Sequence, residues 1–171
     1  MGPLARTPPS LTSSHVSFRS RYVQTERLKA ERAARRRLYG LYRNRYTDDA
    51  SVSNLPGRDN TGNTFAFAHH GELFALREDS RPYRLDLETL ETLGEGQWGD
   101  LRSTALTAHP KIDPQTGEWW SYGVFAAGEP TTDASLHVFD AQGRLIREQW
   151  FQTPYPGLSH DLAPLVAASK S

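Results

Sequence analysis

Thr64-Phe-Ala-Phe-Ala-His69, the pair His70-Gly71, and Glu72-Leu-Phe-Ala-Leu-Arg77 are the stretch on which the fold turns. Successive side chains of a strand point to opposite faces, so the alternation in the first segment predicts a half-buried strand. His70-Gly71 reads as a two-residue turn, because glycine takes a positive φ without steric cost. The second apolar run then returns antiparallel to the first. His69 and His70 are expected to be exposed polar residues of this turn.

The same grammar continues downstream. Tyr83-Arg-Leu-Asp86 predicts a third short strand, and Thr104–His109 a further one, ended by Pro110. Asp113-Pro-Gln-Thr-Gly117 is a tight turn with glycine at its last position. Glu118–Phe125 returns as a strand. Leu136-His-Val-Phe-Asp140, the turn Ala141-Gln-Gly143, and Arg144–Phe151 form another hairpin. His137 lies within a strand and is expected to pack or face solvent. Leu85-Asp-Leu-Glu-Thr-Leu-Glu-Thr-Leu93 and Phe139-Asp-Ala-Gln-Gly-Arg-Leu-Ile146 share one shape: a strand ending in Asp, a turn, and an apolar return. They are 54 residues apart, near the roughly 40–50 residue period of propeller blades. The expected fold class is all-β, and the repeat tilts it toward a propeller rather than a sandwich.

Upstream of the strands the periodicity differs. Residues 1–20 carry Pro3, Pro8, Pro9 and a Ser/Thr run, with no acid before Glu26. That is the loose composition of a transit peptide, but an ordinary irregular start is the simpler reading, with residues 1–14 a disordered tail. Thr25–Tyr42 predicts one N-terminal helix over about residues 25–40, with Thr25 as N-cap and Ala30, Ala34, Leu38, Leu41 and Tyr42 along one face.

The composition bounds the chemistry. The 171 residues suffice for one domain. No cysteine is present, which excludes disulfides, iron–sulfur clusters and thiol catalysis, and any metal must bind His, Asp or Glu. No apolar run approaches the roughly 20 residues of a spanning helix, and none resembles a secretory core, so the expected location is cytoplasmic. The net charge of zero hides an asymmetry. Residues 1–50 hold eleven Lys/Arg against four Asp/Glu, and residues 51–171 nine against sixteen. Such a split suits a nucleic-acid- or membrane-binding arm, or a basic segment lying against an acidic body. The second is preferred, with no nucleic-acid partner, because no aromatic-plus-basic motif surrounds the arginines. Of the six histidines, His109 and His160 each close a probable strand beside a residue that stops regular structure. Both can therefore point into a shared cavity, and neutral imidazole suits iron, zinc, copper or nickel.

Around His109 the sequence becomes recognisable. Thr107-Ala-His109-Pro-Lys-Ile-Asp-Pro-Gln-Thr-Gly-Glu118 resembles the signature of the carotenoid cleavage oxygenases, which include carotenoid- and apocarotenoid-cleaving enzymes, the retinal pigment epithelium isomerase and the lignostilbene dioxygenases. The resemblance runs through Gly71-Glu-Leu-Phe-Ala-Leu-Arg-Glu78, His137-Val-Phe-Asp-Ala-Gln-Gly-Arg-Leu and Ser159-His160-Asp161, and upstream through Arg21-Tyr-Val-Gln-Thr-Glu26 and Tyr42-Arg-Asn-Arg-Tyr-Thr-Asp-Asp49. Its flavour is nearest the lignostilbene branch. It implies a seven-bladed propeller with Fe(II) on its axis, held by four histidines. O2 and an apolar conjugated alkene would be its partners, and a C=C bond is cleaved to two carbonyls. Peripheral membrane contact is implied for full-length members.

Residue by residue, the resemblance makes His109 and His160 two iron ligands and Glu78 a carboxylate hydrogen-bonded to an iron-bound imidazole. Arg77 falls where the lignostilbene branch has a lysine that holds the substrate phenol, and Tyr46, with Tyr42 as the alternative, falls where it has a tyrosine. Two further ligands would lie downstream of His160. The chain thus reads as an internal piece, about two blades over residues 15–163, with residues 164–171 outside the pattern. Two alternatives accompany this expectation. One is a non-catalytic remnant or interaction module lacking two of four ligands. The other is a two-His-one-carboxylate site of His109, His160 and Asp161 or Asp113.

Overall fold

Period-two alternation becomes two sheets. The computed structural model describes residues 18–41, 47, 49, 59–128 and 131–156. The first sheet contains β1 (Phe65–His69), β2 (Glu72–Leu76), β3 (Tyr83–Leu85) and β4 (Thr92–Glu95). The second contains β5 (Lys111–Ile112), β6 (Trp119–Val124), β7 (Asp133–Phe139) and β8 (Leu145–Gln152). Each is an antiparallel meander in chain order, the form of a propeller blade. Among the described residues the fold is therefore two propeller-type blades preceded by one helix.

The turns follow from their residues. His70 and Gly71 have φ of 51° and 73°, the double positive φ that lets a two-residue hairpin follow strand twist. The repeat seen at 54-residue spacing is the third-to-fourth strand turn of each blade. In the first, Asp86 Oδ1 accepts the N–H groups of Glu88 (3.0 Å) and Thr89 (2.7 Å). In the second, Asp140 Oδ1 accepts those of Gln142 and Arg144, both at 2.9 Å. The Thr89 N–H in one turn, and the Arg144 N–H in the other, hold these carboxyls below the usual carboxylate range.

The blades meet over an aromatic core. Trp119 is fully buried. It stacks on Phe139 with ring centroids 4.5 Å apart and contacts Phe67 at 4.9 Å and Phe74 at 5.6 Å. Trp98, from the connection between blades, meets it edge-on at 5.9 Å. Leu76, Leu106 and Ala108 complete the cluster. Burial of this surface on both sheets is the main favourable term holding the blades together.

The helix is shorter than its sequence pattern predicts. α1 spans Glu26–Ala34, with the Thr25 hydroxyl accepting the Leu28 N–H at 3.1 Å. Arg35 then turns left-handed, with φ 52°, and none of the helical residues is buried. The reason lies in Glu31, whose Oε1 accepts the N–H groups of Leu38 and Tyr39, each at 3.2 Å. Those donors cannot serve a continuing helix, and Leu38 and Tyr39 are buried from a non-helical segment instead. Burial pushes the Glu31 carboxyl up, but the Tyr39 and Leu38 N–H groups and the Arg27 guanidinium together hold it below its ordinary value. The stretch before and into α1 lies against the first blade. Gln24 N donates to Thr92 Oγ1 (2.9 Å), Glu26 N to the Tyr83 hydroxyl (3.2 Å), and Arg21 pairs with Glu91 (3.1 Å). Of these contacts only Arg21–Glu91 pairs opposite charges.

Two further expectations need correction. Residues 104–109 form no strand, and the short β5 follows Pro110 rather than preceding it. His69 is buried, not an exposed turn residue. It packs 6.0 Å from Phe67 and 5.8 Å from Trp119, and its Nε2 donates to the Gly117 carbonyl at 3.1 Å. The hairpin containing it abuts the second blade, a contact no local pattern encodes. Among the described residues no helix is long and apolar enough to cross a membrane.

Candidate metal centre

His109 is delivered by the connection between the blades, and the sequence explains why that connection is irregular. Ser103 Oγ donates to the Ala105 carbonyl (2.8 Å), and Thr107 Oγ1 accepts the His109 N–H (3.1 Å). Such local side-chain bonds compete with a strand ladder. The backbone is held instead by scattered long-range bonds: Thr104 N to Ala126 O (2.9 Å), Leu106 N to Ser80 O (3.2 Å), and Thr107 N to Tyr122 O (2.6 Å). Gly123 of β6 lets the connection approach, since a Cβ there would stand 2.3 Å from the Ala105 carbonyl oxygen.

Glu78 follows the end of β2. Its Oε1 lies 3.7 Å from His109 Nε2 and accepts the Thr64 hydroxyl at 3.2 Å. The Phe65 ring centroid is 5.5 Å from that of His109. The His109 side chain is 28% exposed and that of Glu78 13%. The imidazole is therefore neither sealed in the core nor free on the surface, which a ligand reached by solvent and substrate requires. Thirty-one positions of sequence separate the two residues, and the blade-to-blade packing brings them together.

Arg77, the adjacent residue, faces elsewhere. Its guanidinium is buried, donating from Nη1 to the Asp59 carbonyl (2.9 Å), from Nη2 to Asp59 Oδ2 (3.3 Å), and pairing through Nε with Asp79 Oδ1 (2.9 Å). Asp113 serves its turn: Oδ1 accepts the Gln115 N–H at 2.9 Å and its carbonyl accepts that of Gly117 at 2.8 Å. His160, Tyr46, Tyr42 and Asp161 lie outside the described residues, as do residues 1–14. Among the described residues no group of three or more His, Asp or Glu is placed to hold a metal. What they contribute is one imidazole with a carboxylate at its ring, a donor and outer partner whose chemistry suits Fe(II).

A second histidine–carboxylate pair went unremarked in the sequence. His137 of β7 is fully buried, shares a 2.8 Å hydrogen bond between Nε2 and Ser135 Oγ, and lies 3.9 Å from Glu148 Oε1. Burial pushes its pKa down to about 4, against a smaller opposing pull from Glu148. Glu148 in turn accepts the N–H groups of Ser103 (2.8 Å) and Arg102 (3.2 Å). Only the strand period signals this pair, since Ser135, His137 and Glu148 fall on one sheet face. A groove of about 610 Å³ at the rim, lined in part by Trp98, Arg102, Arg144, Arg147 and Glu148, includes neither His109 nor Glu78.

With this geometry in view, the relatives are informative. The sequence model of the family described as "Retinal pigment epithelial membrane protein" matches residues 9–164. The chain is 47% identical over 151 residues to isoeugenol monooxygenase of Pseudomonas nitroreducens, covering 87% of this chain and 31% of that protein. It is 44% identical over 147 residues to lignostilbene-alpha,beta-dioxygenase isozyme III of Sphingomonas paucimobilis, covering 85% and 30%. The crystal structure of Pseudomonas brassicacearum lignostilbene dioxygenase superposes with a TM-score of 0.75 at 44% identity, over 82% of this chain and 29% of that one. The chain thus spans less than a third of the length of the curated relatives it matches, 31% of the isoeugenol monooxygenase and 30% of the lignostilbene dioxygenase.

Proposed function

The chain belongs to the retinal pigment epithelial membrane protein family, and from that premise we propose that it is part of a non-haem Fe(II) oxygenase that cleaves a conjugated C=C bond. Both atoms of O2 enter the products, one in each of two carbonyls. The alkene is a carotenoid, an apocarotenoid or a stilbene, and the identity to an isoeugenol monooxygenase favours a phenolic alkene. The observation that carries the reading is the approach of Glu78, which follows β2, to His109 in the connection between the blades.

In this reading His109 and His160 hold the metal, and Fe(II) when bound supplies the site for O2. Glu78 supports the ring it faces. At 3.7 Å from Nε2 the carboxylate is beyond direct hydrogen-bond reach, and what it offers is negative charge that offsets a bound cation. Thr64 orients that carboxylate through its hydroxyl. Phe65 walls one side of the imidazole and limits water there. Tyr46 would meet the substrate phenol.

The test is anaerobic loading of the purified chain with Fe(II), measurement of bound iron, and then admission of O2 with isoeugenol or a hydroxystilbene. Aldehyde products that vanish in His109→Ala support the reading, and equal products from that variant refute it. The span of about 31% of the relatives favours a second reading, in which these blades alone bind iron weakly and turn nothing over. Bound iron without aldehyde is its signature.

A further inference from the structure

We infer that the second blade has a built site for one internal water, which bridges His137 Nδ1 and Ser121 Oγ. The site is separate from the metal-centre reading and does not depend on it. Its starting point is a set of buried polar atoms that no protein group satisfies: Trp119 Nε1, Ser121 Oγ, His137 Nδ1 and Trp150 Nε1. The strand register puts them on one face of the second sheet. Ser121 stands opposite His137, and Trp150 opposite Ser135, while residues two apart on a strand share a face. The same face carries the Ser135 hydroxyl, which already meets His137 Nε2 at 2.8 Å. It also carries Glu148, whose carboxylate accepts the N–H groups of Ser103 and Arg102. The connection between the blades covers this face. A Cβ on Gly123, the residue opposite Ser135, would stand 2.8 Å from Ser103 Oγ.

Ser121 is 2% exposed and His137 0%, so bulk solvent does not serve either group. Buried polar side chains are nearly always bonded to protein or to ordered water, because an unpaired one keeps its full desolvation penalty. The register gives the bridge its span. Opposite residues of an antiparallel pair have Cα atoms about 4.5–5.5 Å apart, and two hydrogen bonds of about 2.8 Å to one oxygen reach roughly 5.6 Å. Serine and imidazole therefore face each other across the width of one water, and their lack of a direct bond is explained. The chemistry also selects the occupant. Burial holds His137 neutral, with a pKa of about 4, and Glu148 is engaged with backbone donors, so neither an anion nor a cation finds a free counter-charge. A water both donates and accepts, which suits a hydroxyl and an imidazole nitrogen in either tautomer.

Oxygen-17 magnetic relaxation dispersion of the full chain tests the site, because it registers waters held inside for longer than the protein tumbles. Ser121→Val removes the hydroxyl and fills its place with a side chain that suits a strand. The expected result is a dispersion amplitude lower by one water. Nitrogen-15 NMR of the His137 ring, assigned by loss of its signals in His137→Gln, should show Nδ1 shifted in the same variant. Ser135→Ala removes the Nε2 partner instead and should keep the wild-type amplitude. A Ser121→Val chain that is folded by circular dichroism and retains the wild-type amplitude overturns the inference, and so does an equal loss in Ser135→Ala. If Ser121→Val does not fold, crystals of the wild type decide. Solvent density within about 3.2 Å of both Ser121 Oγ and His137 Nδ1 supports the site, and its absence there overturns it.

Discussion

Two histidines of this chain face a glutamate at almost the same distance, 3.7 Å for His109 and Glu78 and 3.9 Å for His137 and Glu148, yet their surroundings differ. His137 is sealed between the sheets, and its pKa falls to about 4 because burial outweighs the carboxylate. It is a neutral packing residue whose Nε2 meets Ser135. His109 lies at the end of an irregular connection, partly open, with the carboxylate near it carried by the loop after β2 of the first blade. Distance to an acid does not make a functional histidine. Glu148 is occupied with the backbone of Ser103 and Arg102, whereas Glu78 accepts the Thr64 hydroxyl.

The largest way to break this comparison is to remove the floor the blades share. Trp119→Ala should cost about 3–5 kcal/mol, measured by urea unfolding, and should disturb both histidines at once. A loss below about 1 kcal/mol would mean the blades do not depend on this core. Acid should act next, and on the buried histidine. With a folded pKa near 4 and an ordinary value of 6.5, His137 binds fewer protons folded than unfolded between those limits. Stability is then fully present above about pH 6.5 and declines as pH falls toward about 4, by roughly 3 kcal/mol in total. His137→Gln should flatten that part of the curve. An unchanged slope in the variant contradicts the burial argument.

Much of this was legible in the residues. Alternation marked β1, β2, β6 and β7, and the Asp turns at Asp86 and Asp140 marked the blade repeat, because strands and Asx turns are local. The end of α1 was not, since Glu31 captures N–H groups seven and eight residues on, across a bend that no helical period describes. The connection 104–109 looked like a strand by composition, but Ser103 and Thr107 bond their own backbone and the rest is pinned by β6 and Ser80. His69 stands at a turn in the sequence and is buried by the neighbouring blade. The pairing of Glu78 with His109 cannot be read from spacing at all. The resemblance assigned Glu78 to an iron-bound imidazole without specifying which, and its distance from His109 depends on how the connection packs against the first blade. Arg77 illustrates the converse, for its place in the pattern suggested a ligand contact while its guanidinium is buried against Asp59 and Asp79.

A smaller effect sharpens the contrast further. Glu148→Gln weakens the acceptor that Ser103 and Arg102 use, at an expected cost of about 1–2 kcal/mol in thermal unfolding. It should leave the His109 ring signals unchanged. A shift there would mean that the two histidine regions are coupled. Smallest in stability should be His109→Ala, within about 1 kcal/mol of wild type, because the side chain is partly open and outside the aromatic core. A larger loss would make His109 a structural residue like His137.

That same variant decides the central claim, that His109 is a metal ligand supported by Glu78. Anaerobic equilibrium dialysis against Fe(II) with wild type, Glu78→Gln and His109→Ala measures it directly. The account predicts that Glu78→Gln loosens iron by roughly 10–100-fold and that His109→Ala abolishes specific binding. Iron bound to His109→Ala with wild-type stoichiometry and affinity would contradict it.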